Sequence, residues 1–188
     1  MVSVDGDTST NDTVLLMANG LAGNAPINKD SKDYAEFKEA LHVVAEFLAK
    51  NIAKDGEGAT RLFTAHVVGA PDYDTAAVLA KSVITSNLTK AAIFGMDANC
   101  GRIFCAMGYS GASFDPAKTD ITIKSSAGEI KLVENGLATD FSEEKALEIL
   151  KPDEITAVCD IKSGDAEAVA WGCDLTYDYV KINADYRS

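Results

Sequence analysis

The sequence predicts an α+β fold, a layered sandwich of helices and strands and not a doubly wound parallel sheet. Three observations carry this. Apolar residues recur at helical spacing early in the chain, most clearly Phe37, Leu41, Val44, Leu48 and Ile52. Short runs rich in Val, Ile, Phe and Thr occur about as often as helical segments. The second half then reads as a hairpin, one helix and three successive strands, with no repeated βαβ pattern. A length of 188 residues suits one domain with a sizeable core, and no repeat, linker or low-complexity tract divides residues 1–188.

Val2 and Val4 read as the end of a strand. Asn11 or Asp12 can cap a helix from Thr13 to Ala18, ended by Asn19-Gly20. Gly23 to Asp30 is a loop, and the apolar stripe from Ser31 to Ile52 predicts a long helix. Asp55-Gly56-Glu57-Gly58 is a tight turn with two permissive residues. Arg61 to Gly69 predicts a strand, and Asp72 to Ser86 a helix capped near Pro71-Asp72. Ala91 to Phe94 reads as a short buried strand and Asn99 to Met107 as a helix. Asp120 to Lys124 and Glu129 to Glu134 predict a hairpin across Ser125-Ser126-Ala127-Gly128. Ser142-Glu143-Glu144 opens a helix with acids in its first turn, as the helix dipole favours, and Lys151-Pro152 ends it. Glu154 to Ile161, Ala168 to Leu175 and Tyr179 to Tyr186 read as three strands.

An apolar fraction of 47% with 24% charged residues excludes a disordered chain. The net charge of −12 argues against nucleic acid and against an anionic membrane surface as partners, because both need Lys and Arg. No apolar run reaches the length of a membrane-crossing helix, and the first residues lack the pattern of a signal peptide. Cys100, Cys105, Cys159 and Cys173 form no CxxC pair, and His42 and His66 have no triad partners in sequence. We therefore expect no metal site and no disulfide framework, but four buried, reduced thiols and a cytoplasmic location.

Asp5-Gly6-Asp7-Thr8-Ser9 offers a D-x-D-x-S start, yet a calcium loop would need Gly and Glu where Thr10 and Leu16 stand. It is also similar to the D-x-D-x-T of aspartyl-nucleophile phosphatases, with Ser9 in place of the Thr, a single weak likeness without the βαβ layout. On the residues alone it is a polar loop satisfying turn amides. Glu57, between two glycines, can approach a ligand closely, but a solvated turn is the favoured reading until other evidence enters. Cys100 near a helix N-terminus and Arg102 is expected to be packing, and Cys105 core.

Four blocks in order change that balance: VDGDTSTNDTVLLMANG (Val4–Gly20), DGEGATR (Asp55–Arg61), AIFGMDANCGRIFCAMGYSG (Ala92–Gly111) and YVKINADYRS (Tyr179–Ser188). Together with the stretches between them they span the chain, and they resemble the ornithine acetyltransferases, the bifunctional glutamate N-acetyltransferases of arginine biosynthesis. Cys100 departs from the Trp that members often carry there.

The resemblance implies an α-β-β-α sandwich of the N-terminal-nucleophile type. In that family a threonine cleaves the bond before itself, separating an α from a β subunit, and then carries acetyl from N-acetylornithine to glutamate. Some members also use acetyl-coenzyme A, so no cofactor is implied beyond that co-substrate. This chain resembles the β subunit from partway in, so the fold is expected to be incomplete at its N-terminus. The nucleophile, the oxyanion-hole threonines and the substrate lysine are expected upstream of Met1, and no catalytic residue is implied within the chain. Three ligand residues carry over: Glu57, Asn183 and Ser188. The implied partners are N-acetylornithine, ornithine, glutamate, the α subunit and the missing β segment, with homo-oligomers expected. The alternative is an inactive fragment that folds and at most binds ornithine- or glutamate-type ligands. A truncated fold would also leave apolar surface exposed and self-association to cover it.

Overall fold

The computed structural model describes residues 1–185. The long apolar stripe forms α1 (Tyr34–Lys54), followed by the Asp55–Gly58 turn and β1 (Leu62–Ala70). Next come α2 (Tyr73–Thr85), α3 (Asn87–Phe94) and α4 (Cys100–Gly108). A hairpin of β2 (Asp120–Ser125) and β3 (Gly128–Glu134) leads to the short β4 (Leu137–Ala138) and α5 (Glu143–Leu150). The chain closes with β5 (Glu154–Asp160), β6 (Ala166–Cys173) and α6 (Tyr177–Asp185). No described helix is long and apolar enough to cross a membrane.

The strands form one mixed sheet in the order β4-β3-β2-β5-β1-β6. Among the six strands β1 and β5 run parallel, placing Phe63 beside Ile155 and Val67 beside Cys159, and the other described strand pairs are antiparallel. The layered α+β class is as expected, carried among the described residues by one sheet. One face is dry: Phe63, Ala65, Val67, Ile121, Ile155 and Ala157 pack under α2 and α5. The helices supply Leu79, Val83 and Ile84 from α2 and Ile149 and Leu150 from α5. The other face is only partly covered, by α1, where Lys50 lies over the Trp171 ring at 5.6 Å. Here His66 contacts Glu167 at 2.8 Å. Phe37, Val44, Phe47 and Leu48 of α1 remain exposed.

Most elements lie where the sequence puts them, with local caps as the reason. Asp72 accepts from the Thr75 amide at the start of α2, and Ser142 does the same for Lys145 at the start of α5. Three expectations about single elements fail. Thr13 to Ala18 is not helical; Val14 to Met17 lie exposed along α1, since a helix that short needs tertiary packing to persist. Ala91 to Phe94 is not a strand but the second half of α3, which Ser86 caps through the Thr89 amide. Of the strand expected from Tyr179 to Tyr186, the described residues, Tyr179 to Asp185, belong to α6. The last two strands do not pair with each other, because β1 lies between them. The connection passes against the end of β1, where a Cβ on Gly164 would meet the Ala70 carbonyl oxygen at 2.4 Å. Only glycine fits that crossing.

Nor are all four thiols buried. Cys159 and Cys173 are buried, Cys100 is half-buried against the core, and Cys105 is exposed. A one-sided apolar helix has a wet side, and Cys105 falls on it.

At the far side of the sheet, Asp120 ties β2 to two neighbouring turns. Its carboxylate accepts from Lys162 at 2.6 Å, from the Asn135 amide at 2.7 Å and from Lys131 at 3.2 Å. Desolvation pushes its pKa up, but these donors outweigh it and hold it at about 2, below the ordinary 3.8. A carboxyl depressed by folding stabilises the folded state fully above 3.8 and loses that contribution as pH falls towards 2. The thermal midpoints of the native chain and Asp120→Asn should therefore converge across that window. A gap that stays constant from neutral pH to pH 2 would refute the linkage.

Candidate functional site

Val2 pairs with Trp171 in a parallel bridge, with the Ser3 amide donating to the Trp171 carbonyl at 3.0 Å. The chain then leaves the sheet edge as the polar loop from Asp5 to Ser9. This loop, the Asp55–Glu57 turn, α2 and α6 enclose an open cleft of about 640 Å³, a usual size for a small-molecule site. Among the described residues, five carboxylates line it (Asp5, Asp7, Asp12, Asp55 and Glu57), against one cation, Lys81. Such a cleft concentrates cationic ligands.

Glu57 and Asn183, expected as ligand residues, meet here. Asn183 Nδ2 donates to Glu57 Oε2 at 2.7 Å and also to the Tyr179 carbonyl at 3.0 Å. Ser188, the third expected residue, lies outside the described residues.

The meeting depends on how α6 is seated. Thr176 Oγ1 donates to the Gly58 carbonyl at 2.7 Å and accepts from the Tyr179 amide at 3.1 Å, so it caps α6 and ties it to the turn. Gly58 has φ +66°, and a Cβ there would lie 2.6 Å from the Tyr179 nitrogen. Farther along α6, the Tyr179 hydroxyl donates to Asp5 Oδ2 at 2.9 Å, closing the ring from helix to loop. Desolvation, then the hydrogen bond to Asp5, then the charges of Asp5, Asp7 and Glu57 raise the Tyr179 pKa to about 12. The tyrosine thus registers the negative field of the cleft.

Below the turn, buried Asp174 accepts from the Thr60 amide at 2.8 Å and the Arg61 amide at 3.0 Å, as well as from the Thr60 hydroxyl. The Arg61 guanidinium lies 3.8 Å away. Phe94 and Tyr177 stack edge to face at 5.6 Å and hold α6 against α3. The sequence reading missed Thr176, Tyr179, Asp174 and Lys81. Thr176 was detectable as a cap followed by an acid in the first helical turn; the others are recognisable only once the fold brings them in.

With this geometry in place, the relatives are informative. The family model described as the ArgJ family matches residues 1–188. The chain belongs to the ArgJ family. It is 54% identical over 188 residues to "Arginine biosynthesis bifunctional protein ArgJ 1" of Clostridium acetobutylicum, covering 100% of this chain and 46% of that protein. An ArgJ protein named as mitochondrial, from Schizosaccharomyces pombe, is 47% identical over 189 aligned positions, covering 100% of this chain and 42% of the relative. The chain thus spans less than half the length of these ArgJ relatives. The crystal structure of the Bacillus halodurans ArgJ protein superposes with a TM-score of 0.92 at 46% identity, covering 98% of this chain and 85% of the matched one.

Proposed function

We propose that this chain supplies the substrate-binding part of an enzyme that moves acetyl from N-acetylornithine to glutamate through an acetyl-threonine. Acetyl-coenzyme A is a further donor in this reading. The observation that carries it is the Glu57–Asn183 contact at the mouth of an acid-lined cleft. A carboxylate there suits the ammonium groups of ornithine, and the carboxamide suits a carboxylate or acetamide oxygen. The family resemblance adds Ser188 as a third ligand residue in this reading.

The cleft binds but holds no activated nucleophile among the described residues. Four hydroxyl residues line it, Ser3, Thr8, Ser9 and Thr85. Thr85 spends its hydroxyl on the Lys81 carbonyl at 2.8 Å, and Ser9 Oγ accepts from the Asn11 amide at 3.1 Å. Among the described residues none of the four is hydrogen-bonded to a histidine or lysine side chain that could take its proton. The nucleophilic threonine in this reading therefore comes from outside these residues, with the α subunit and the remaining β segment as partners. The exposed apolar face of α1 is where we place self-association or the missing partner. Four unpaired thiols suit a reducing, cytoplasmic setting.

The test is acetyl transfer from N-acetylornithine to glutamate, with calorimetry of ornithine binding and light scattering on the same preparation. Expected are measurable ornithine binding, weakened at least about tenfold by Glu57→Gln, and transfer only when the preceding family segment is added. A strictly monomeric chain would count against self-association. Transfer by the chain alone would overturn the account of the nucleophile. Absence of ornithine binding would overturn the account of the cleft.

A further inference from the structure

We propose that Lys90 is a positioning residue, whose buried ammonium fixes the point where the chain leaves Val4 for the Asp5–Ser9 loop and so holds that loop over the Glu57 turn. The consequence for ligand binding rests on the cleft being an ornithine site; the positioning itself does not.

Lys90 lies on α3 with 2% of its surface exposed. Its ammonium donates to the Val4 carbonyl and lies 3.7 Å from Cys173 Sγ. Among the described residues no carboxylate lies within 4.0 Å of it. The sheet pairing of the first residues ends one position earlier, after the Trp171 amide has donated to the Met1 carbonyl and the Ser3 amide to the Trp171 carbonyl. Val4 is thus the first residue past the ladder, and Lys90 takes the carbonyl that pairing no longer serves.

The same contact reaches the turn. A Cβ on Gly56 would lie 3.0 Å from both Cys173 Sγ and Val4 Cγ1, so the residue before Glu57 packs directly on the pair that Lys90 holds. The backbone carbonyl of Lys90 also accepts from the Leu175 amide at 3.3 Å, between Asp174 and Thr176. One side chain and its backbone therefore touch the loop, the packing under the turn, and the segment that seats α6. A methionine would fill the space without burying a charge, but it could not donate to the Val4 carbonyl. Retaining a charge at such a place is understandable if the loop's position matters.

Backbone nitrogen-15 NMR relaxation on Lys90→Met and the native chain, with thermal midpoints and ornithine calorimetry, tests this. Expected is a folded chain in which the order parameters of amides 4–9 fall well below their native values, those of β6 and α3 are unchanged, and ornithine binds about tenfold more weakly. Unchanged order at 4–9, or an equal loss of order through β6 and α3, would overturn the proposal. Should Lys90→Met not fold, the native chain decides: nitrogen-15 NMR should show a slowly exchanging Lys90 ammonium coupled through space to Val4, and its absence would overturn the proposal. If the native chain fails to bind ornithine, the proposed function falls while the order of residues 4–9 still decides the role of Lys90.

Discussion

Gly58→Ala should unseat α6 and abolish the Glu57–Asn183 contact while leaving the six-stranded sheet folded. Two causes act together. At φ +66° an alanine pays the left-handed penalty of about 1–2 kcal/mol. Its Cβ would also fall 2.6 Å from the Tyr179 nitrogen and 2.8 Å from the Asp178 carbonyl carbon. Those atoms are backbone at the first turn of α6 and cannot rotate away, so the helix must move. The Thr176 tie to the Gly58 carbonyl goes with it. For a chain of 188 residues the strain alone lowers the thermal midpoint by roughly 2–8 °C. Far-ultraviolet circular dichroism should keep its sheet signal, and ornithine binding should fall below detection. Native-like affinity in this variant would show that α6 is not held through this approach.

Asp174→Ala should cost about 3–5 kcal/mol, a large part of the ~5–15 kcal/mol that holds a typical domain together. The carboxylate is 3% exposed and serves two backbone amides and a hydroxyl. Removing it strands the Thr60 and Arg61 amides and leaves the largely buried Arg61 without its counter-charge. Asp174→Asn should cost less, because one oxygen can still accept from both amides. Urea unfolding of the three chains checks this, and a loss under about 1 kcal/mol for alanine would mean that water replaces the carboxylate.

How much of this was legible in the sequence varies with the kind of interaction. Where a stripe and a cap agree, as from Tyr34 to Lys54 or from Tyr73 to Thr85, local chemistry decides and the reading holds. Short apolar runs are ambiguous, and there the reading fails. Ala91–Phe94 is helical because Ser86 starts the helix four residues before Lys90, and the Tyr179–Asp185 run, despite its Val, Ile and Tyr, is helical because Thr176 caps it. Thr13–Ala18 is apolar enough for a helix, but Val14 to Met17 stay exposed beside α1 and too little of them is buried to hold one. Strand order escaped altogether, since nothing local says that β1 parts β5 from β6. The family motif singles out Glu57 and Asn183, and the fold brings these two side chains together. The contact between them spans 126 positions, and that from Tyr179 to Asp5 spans 174, so the physics joining them lies only in the fold.

The place of β1 between β5 and β6 has a consequence during synthesis. Leu62 finds its partners at Glu154 and Cys173, roughly a hundred residues later. At about 5–20 residues per second, β1 leaves the ribosome some 5–20 s before either neighbour exists. Through that interval Phe63, Ala65 and Val67 have only α2 to cover them, and both edges of the strand are open to other chains. The sheet closes only when β6 arrives, so the loop and turn that form the cleft are among the last parts of the molecule to take shape.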